Sequence, residues 1–211
     1  MIKPYYKDDY VTIYHGDCRQ IVPLLGHFDL LLTDPPYGIN AGKKNFGKWR
    51  TSRMPKGDWD SKVPPMWLLE MLLESSDKHI IWGGNYYALP PTRQYLVWDK
   101  GAGFKGRDFA ECEQAWCSMD GNAKILQRDP LASQDYKTKE HPTMKPLAVM
   151  QWCLSLVGDD VDTILDPFAG SGTTGRAAKD AGKQCVLIEQ EERYCEIAAK
   201  RMGQEVFNLS A

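Results

Sequence analysis

The sequence has no apolar run approaching the ~20 residues of a membrane span, so no spanning helix is expected. Its start, Met1-Ile2-Lys3-Pro4-Tyr5-Tyr6-Lys7, lacks the apolar stretch of a secretion signal. There is no internal repeat and no low-complexity tract. No CxxC pair occurs: the six cysteines are scattered at positions 18, 112, 117, 153, 185 and 195, several inside apolar runs. That distribution points to reduced, structural thiols in a cytoplasmic protein rather than to a disulfide framework or a metal centre. Charge of one sign is also lacking, with 26 basic against 28 acidic residues and a net charge of -2. Any contact with a polyanion must therefore come from local basic patches.

What is present is an ordinary globular composition, 43% hydrophobic and 26% charged over 211 residues, which suits one domain with a substantial core. Periodicity predicts strands at Val11–His15, Phe28–Thr33, His79–Trp82, Tyr95–Trp98, Glu113–Ser118, Thr163–Leu165 and Gln184–Ile188. Helices are predicted at Arg19–Leu25, Pro64–Ser75, Leu147–Val157, Thr173–Ala181 and Glu192–Met202. This alternation predicts an α/β fold with a doubly wound, mostly parallel sheet. Two stretches, residues 41–60 and 121–140, break the pattern and read as long loops.

Two apolar strands each stop at a loop with marked chemistry. Phe28–Thr33 runs into Asp34-Pro35-Pro36-Tyr37, and Thr163–Leu165 runs into Asp166-Pro167-Phe168-Ala169-Gly170-Ser171-Gly172-Thr173-Thr174. Open α/β sheets bind ligands at the carboxyl ends of their strands. Gly170 and Gly172, between a strand and a helix, allow a tight turn and close approach of a ligand, whose anionic group the helix N-terminus favours. Glu189 ends the next strand, 17 residues after Gly172, near the spacing at which an acid meets ribose hydroxyls. No lysine follows the glycines as a P-loop requires. In the other loop two prolines fix the backbone. The Asp34 carboxylate and the Pro35 carbonyl can each accept one hydrogen of an exocyclic amino group, and the Tyr37 ring can stack on the base that carries it.

As a set, these motifs resemble the amino-methylating DNA methyltransferases, which use S-adenosylmethionine to methylate adenine N6 or cytosine N4. His141-Pro142-Thr143-Met144-Lys145-Pro146 resembles the family's His-Pro-Thr-Gln-Lys-Pro segment, with Met144 in place of the usual glutamine. Gly16-Asp17-Cys18 resembles the Gly-Asp-Cys preceding the catalytic strand, and Glu189 with Tyr194, Ala198 and Arg201 resembles the acidic cofactor strand and its helix. The order, catalytic loop first and glycine loop last, is that of the beta subgroup. The resemblance implies a Rossmann-like methyltransferase domain over residues 1–211. It assigns the catalytic pocket to Asp34, Pro35, Pro36 and Tyr37. The methionine part of the cofactor falls to Asp166, Phe168, Ala169, Gly170, Ser171, Gly172 and Thr173, the ribose to Glu189, the adenine amino group to Asp17, and the cofactor carboxylate to the neighbourhood of Lys145. No metal is implied.

The target amino nitrogen lies inside the duplex stack, so the base must be extruded. Lys43, Lys44, Lys48, Arg50 and Arg53 directly follow the catalytic loop and suit a mobile segment, residues 41–60, that grips the phosphates of double-stranded DNA. Residues 121–140 are the expected target-recognition insertion, short for a separate domain, which implies few bases read or the help of a partner or a second copy. Monomer and homodimer both remain open, as does a cognate nuclease of a restriction-modification system. The leading aspartate favours adenine N6, with cytosine N4 as the alternative. A nucleotide-dependent oxidoreductase would explain Glu189 but leave Asp34–Tyr37 without a task; a non-catalytic binding protein would not need Asp34 and Tyr37 intact.

Overall fold

The structure, a computed structural model, describes residues 2–40, 60–106, 110–130 and 144–204. Among the described residues nine strands form one sheet: β1 (Tyr6–Lys7), β2 (Val11–His15), β3 (Phe28–Thr33), β4 (Ser76–Trp82), β5 (Tyr95–Asp99), β6 (Cys112–Cys117), β7 (Lys124–Gln127), β8 (Thr163–Asp166) and β9 (Gln184–Glu189). Their order across the sheet is β1-β2-β9-β8-β3-β4-β6-β5-β7. The central strands β2, β9, β8, β3 and β4 are parallel, whereas β1 and β6 run antiparallel to their neighbours. Helices α1 (Cys18–Ile21), α2 (Met66–Glu74), α3 (Leu147–Leu154), α4 (Thr173–Asp180) and α5 (Glu192–Met202) cover the faces. The doubly wound, mostly parallel architecture is thus as expected. Among the described residues, no helix is long and apolar enough to cross a membrane.

Strand alternation distributes β3 between two cores. Leu30 and Leu32 join Ile80, Trp82 and Ile164 in a layer with Val149 and Met150 of α3, Ala177 and Ala178 of α4, and Ala198 and Met202 of α5. Leu31 faces the other way, onto Leu68 and Leu72 of α2 with Ile81, Leu165 and Ile188, and Phe28, at the very start of the strand, joins the same cluster. A strand buried on both faces reads as an unbroken apolar run. Its one acid, Asp29, is explained by its partners: Oδ2 accepts from Asp162 N (2.8 Å), Thr163 N (2.7 Å) and Thr163 Oγ1 (2.9 Å). This carboxylate pins the start of β8 beside β3.

Two expectations are modified, and one strand was not foreseen. The helix predicted over Arg19–Leu25 is α1 followed by a 3-10 turn at Val22–Leu24, where Pro23 cannot supply the amide an α-helix needs. The predicted loop at 121–140 contains β7, whose sequence Lys-Ile-Leu-Gln is too short and too exposed to show alternation. The two-residue edge strand β1 lies in a stretch with no period at all. Residues 41–59 and 131–143, and with them Lys43, Lys44, Lys48, Arg50, Arg53 and the His141-Pro142-Thr143 part of the motif, lie outside the described residues.

Candidate active site

From β8 the chain proceeds to β9 on one side, and from β3 to β4 on the other, so the strand order reverses between β3 and β8. The crevice at such a reversal is where open α/β sheets hold ligands. Leu30 pairs with Ile164 and Leu31 with Leu165, which carries Asp34 and Asp166 to the same edge. The two strand ends are tied directly, Thr33 Oγ1 donating to Asp166 Oδ1 at 2.8 Å.

On the β8–β9 side, Asp166 is 3% exposed and its oxygens are occupied by Thr33, by Thr174 Oγ1 (2.5 Å) and by Phe168 N (3.1 Å). Burial pushes this carboxyl up to about 6 despite those donors. Asp166, expected among the residues that hold the methionine part of the cofactor, braces the loop from beneath. The loop above it turns through Gly170 (φ +51°) and Gly172 (φ +78°), left-handed conformations that favour glycine. A Cβ on Gly172 would lie 2.8 Å from Ala198 Cβ, so glycine there also lets α4 begin against α5. Gly170 N donates to Glu189 Oε2 (2.8 Å) and Glu191 N to Oε1 (2.9 Å), leaving lone pairs on both oxygens. Burial raises the Glu189 pKa. Parallel pairing of β2 with β9 sets His15 opposite Glu189, and Gly16 N donates to Glu189 O at 2.9 Å. Asp17 thus stands next to this acid, capping α1 through Arg19 N (2.9 Å) and paired with the Arg19 guanidinium. Thr173 Oγ1 accepts from Arg201 at 2.8 Å.

On the β3–β4 side, Asp34 Oδ1 accepts from Tyr37 OH (2.5 Å) and Oδ2 from Lys145 Nζ (2.6 Å). Lys145, its side chain 4% exposed, also donates to Tyr37 Oη (3.0 Å) and pairs with Glu113 Oε2 (2.9 Å). All three ammonium protons are therefore used within the protein. A buried ammonium needs counter-charge, and Asp34 and Glu113 supply it here. Burial raises the Asp34 pKa, with Lys145 opposing; burial pushes Glu113 up too, but Lys145 and Lys100 more than offset this and hold it at about 2. Tyr87 OH donates to the Pro35 carbonyl (2.8 Å) and the Pro36 carbonyl (3.2 Å). Each carbonyl retains a second lone pair. The Tyr37 ring stacks on Tyr86, centroids 4.9 Å apart and planes 14° apart, and it lies hard against Gly83. A ring expected to meet a base is thus already stacked on a partly exposed second aromatic.

Sequence reasoning did not single out Glu113, Lys100, Tyr86, Tyr87 or Gly83. The signal for Glu113 was a charge at the head of an apolar strand, but only the antiparallel direction of β6 sends that head to the edge that carries Asp34.

The family model of the DNA methylases (N6/N4) matches residues 81–200, more than half of the chain. The chain belongs to this family. It is a DNA amino-methyltransferase whose methyl donor is S-adenosylmethionine. Type II methyltransferase M2.LlaDCHI of Lactococcus lactis subsp. cremoris is 25% identical, the alignment covering 96% of this chain and 93% of that protein. Type II methyltransferase M2.MboI of Moraxella bovis is 26% identical over 95% and 91%. The fold is shared with the M1.HpyAVI–SAM complex (TM-score 0.60, 24% identity, covering 90% of this chain and 99% of that one). It is also shared with the cytosine-N4-specific PvuII DNA methyltransferase (TM-score 0.64, 16% identity, 99% and 91%). The donor set at the β8–β9 edge of this methyltransferase fits S-adenosylmethionine. Glu189 has free lone pairs for ribose hydroxyls, Asp17 stands beside it with both oxygens engaged by Arg19, and the left-handed glycines keep side chains out of the turn.

Proposed function

We propose that this methyltransferase acts on adenine N6 of a base extruded from double-stranded DNA, with Asp34, Pro35, Pro36 and Tyr37 as its catalytic pocket. The observation that carries the reading is the β3–β8 pairing, which sets the acceptor loop of Asp34 beside the loop of Gly170 and Glu189 at one sheet edge. The leading aspartate supports adenine, because cytosine-N4 enzymes of this type more often begin the motif with serine.

S-adenosylmethionine supplies an electrophilic methyl group at this edge. Asp34 and the Pro35 carbonyl accept the two amino hydrogens and so draw the nitrogen lone pair out of conjugation with the ring. Tyr37 and Tyr86 form the aromatic wall for the base. After transfer the nitrogen must lose one proton, and the Asp34 carboxylate that already accepts its hydrogen bond takes it. Positioning is the larger contribution, since charge is neutralised rather than created. Glu189, Asp17, Gly170 and Gly172 hold the cofactor, Phe168, Ala169, Ser171 and Thr173 shape the loop around it, and Lys43, Lys44, Lys48, Arg50 and Arg53 contact phosphates. Cytoplasmic location is supported by the free, buried thiols of Cys18, Cys117, Cys153, Cys185 and Cys195.

The test is incubation with duplex DNA and methyl-labelled S-adenosylmethionine, followed by hydrolysis to nucleosides. Label is expected in N6-methyladenine, and Asp34→Ala is expected to bind the cofactor but not transfer. Label in N4-methylcytosine overturns the base assignment, and normal turnover by Asp34→Ala overturns the pocket.

A further inference from the structure

The catalytic loop does not hold its own carboxylate alone. Glu113, the second residue of β6, bridges two ammonium groups: Oε1 meets Lys100 Nζ at 2.7 Å and Oε2 meets Lys145 Nζ at 2.9 Å. Lys145 in turn meets Asp34 at 2.6 Å. The result is an alternating chain, Lys100–Glu113–Lys145–Asp34, with no net charge, whose four side chains are between 4% and 22% exposed. Lys100 is itself fixed, lying over the Trp98 ring at 5.3 Å from its centroid. Buried ion pairs return little net stability compared with apolar side chains of similar volume, because desolvation offsets the attraction. Stability alone therefore does not account for such a chain ending on the one carboxylate that receives the substrate amino group.

We propose that Glu113 is a positioning residue for methyl transfer: anchored by Lys100, it fixes the Lys145 ammonium and through it the orientation of Asp34. The inference rests on Asp34 being the amino-group acceptor. Lys145 without Glu113 keeps a single carboxylate partner and a free proton, and can swing with Asp34. With Glu113 it is held from two sides, and Asp34 Oδ2 has one permitted position. Glu113 also competes with Asp34 for the same cation, so it sets the pH at which Asp34 loses its charge. Asp34 faces Lys145 and, beyond it, Glu113; Tyr37 from its own loop; Tyr87 at the neighbouring Pro35 carbonyl; and Asp166 at the end of β8.

The test compares Glu113→Ala, Glu113→Gln and Asp34→Ala in the full-length enzyme. Single-turnover methyl transfer from the preformed enzyme–cofactor–DNA complex is followed across pH, and affinity for S-adenosylmethionine is measured by calorimetry. Glu113→Ala is expected to lose roughly ten- to a hundredfold in transfer rate, as a misplaced reacting group does, with cofactor affinity unchanged within about twofold. Glu113→Gln keeps an acceptor oxygen on Lys145 without the charge. It should recover part of the rate and move the acid limb of the rate profile to lower pH, because Lys145 then serves Asp34 alone. A purely structural glutamate would not move that limb. The proposal is overturned by a wild-type rate in Glu113→Ala, by an unmoved acid limb in Glu113→Gln, or by rate and cofactor affinity falling together. Should Glu113→Ala not fold, the acid limb of Glu113→Gln decides alone. Normal transfer by Asp34→Ala would instead show that the acceptor reading underneath is wrong; an inactive Asp34→Ala beside normal Glu113 variants would discard only the role of Glu113.

Discussion

Gly83→Ala should damage the catalytic loop from outside it. Gly83 follows β4 at φ +73° and ψ +24°, where it opens the 3-10 turn Gly84–Tyr86. An added Cβ would stand 2.2 Å from Tyr37 Cε1, 2.5 Å from Cδ1 and 2.8 Å from Cζ. Carbon atoms in contact sit about 3.5–4.0 Å apart, so ring or backbone must retreat by more than 1 Å. The ring has little room: Tyr86 is stacked on it at 4.9 Å and its hydroxyl is tied to Asp34 at 2.5 Å. Gly83 is held as well, its N–H donating to Gln114 O at 2.9 Å. The left-handed conformation costs about 1–2 kcal/mol for alanine, and overpacking adds about 1–3 kcal/mol. A total near 3 kcal/mol lowers the melting temperature of a domain this size by roughly 6–12 °C. A shift of about 1 Å in Tyr37 carries Asp34 with it and costs on the order of a hundredfold in transfer rate, while cofactor affinity holds. Differential scanning calorimetry and single-turnover transfer measure the two losses. A double-mutant cycle with Tyr37→Ala separates their causes: on that background Gly83→Ala should cost only the conformational part. If the single variant melts and turns over like the wild type, or if the cycle shows no coupling, the packing argument fails.

Two further outcomes follow from buried carboxylates. Glu189→Ala removes the acceptor for Gly170 N and Glu191 N together with the proposed ribose contacts. Charge-assisted hydrogen bonds contribute about 1.5–3 kcal/mol each, so affinity for S-adenosylmethionine should fall by roughly a hundredfold; calorimetric titration at wild-type affinity would refute the assignment. Burial pushes the Asp166 carboxyl up to about 6 in the folded protein, against 3.8 for a free aspartate, so between those values the native state binds the extra proton and stability declines as pH rises, then levels off above about pH 6. Asp166→Asn lacks this titration. The stability of the variant relative to wild type should therefore increase by about 2 kcal/mol from pH 4 to 6.5 in chemical denaturation; a difference independent of pH would show that Asp166 is not so perturbed.

The legible parts of the fold were those where one strand or helix carries its own signal. β3 showed itself as an apolar run because both its faces are buried, and its bounds Phe28–Thr33 came out unchanged. α5, with its apolar stripe and basic last turn, did likewise. β7 and β1 were not legible: edge strands of four and two residues gain their hydrogen bonds from a neighbour and need no pattern of their own. Within the site, the glycine loop and Glu189 were readable because backbone conformation and strand-end position are local properties. The partners of Lys145 were not, since Asp34 and Glu113 lie 111 and 32 residues before it in the chain.

The sequence by itself determined which chemistry is present: a rigid acceptor loop, a left-handed glycine turn with an acid at the next strand end, and the alternation that builds a doubly wound sheet. Those are short-range consequences of proline, glycine and apolar periodicity. The tertiary structure decided who meets whom. The reversal between β3 and β8 joined the two loops, and the antiparallel course of β6 delivered Glu113 to them. Burial then did the rest: once Lys145 is cut off from water its charge must be matched at close range, and the nearest matching groups are Asp34 of the acceptor loop and a glutamate from another strand.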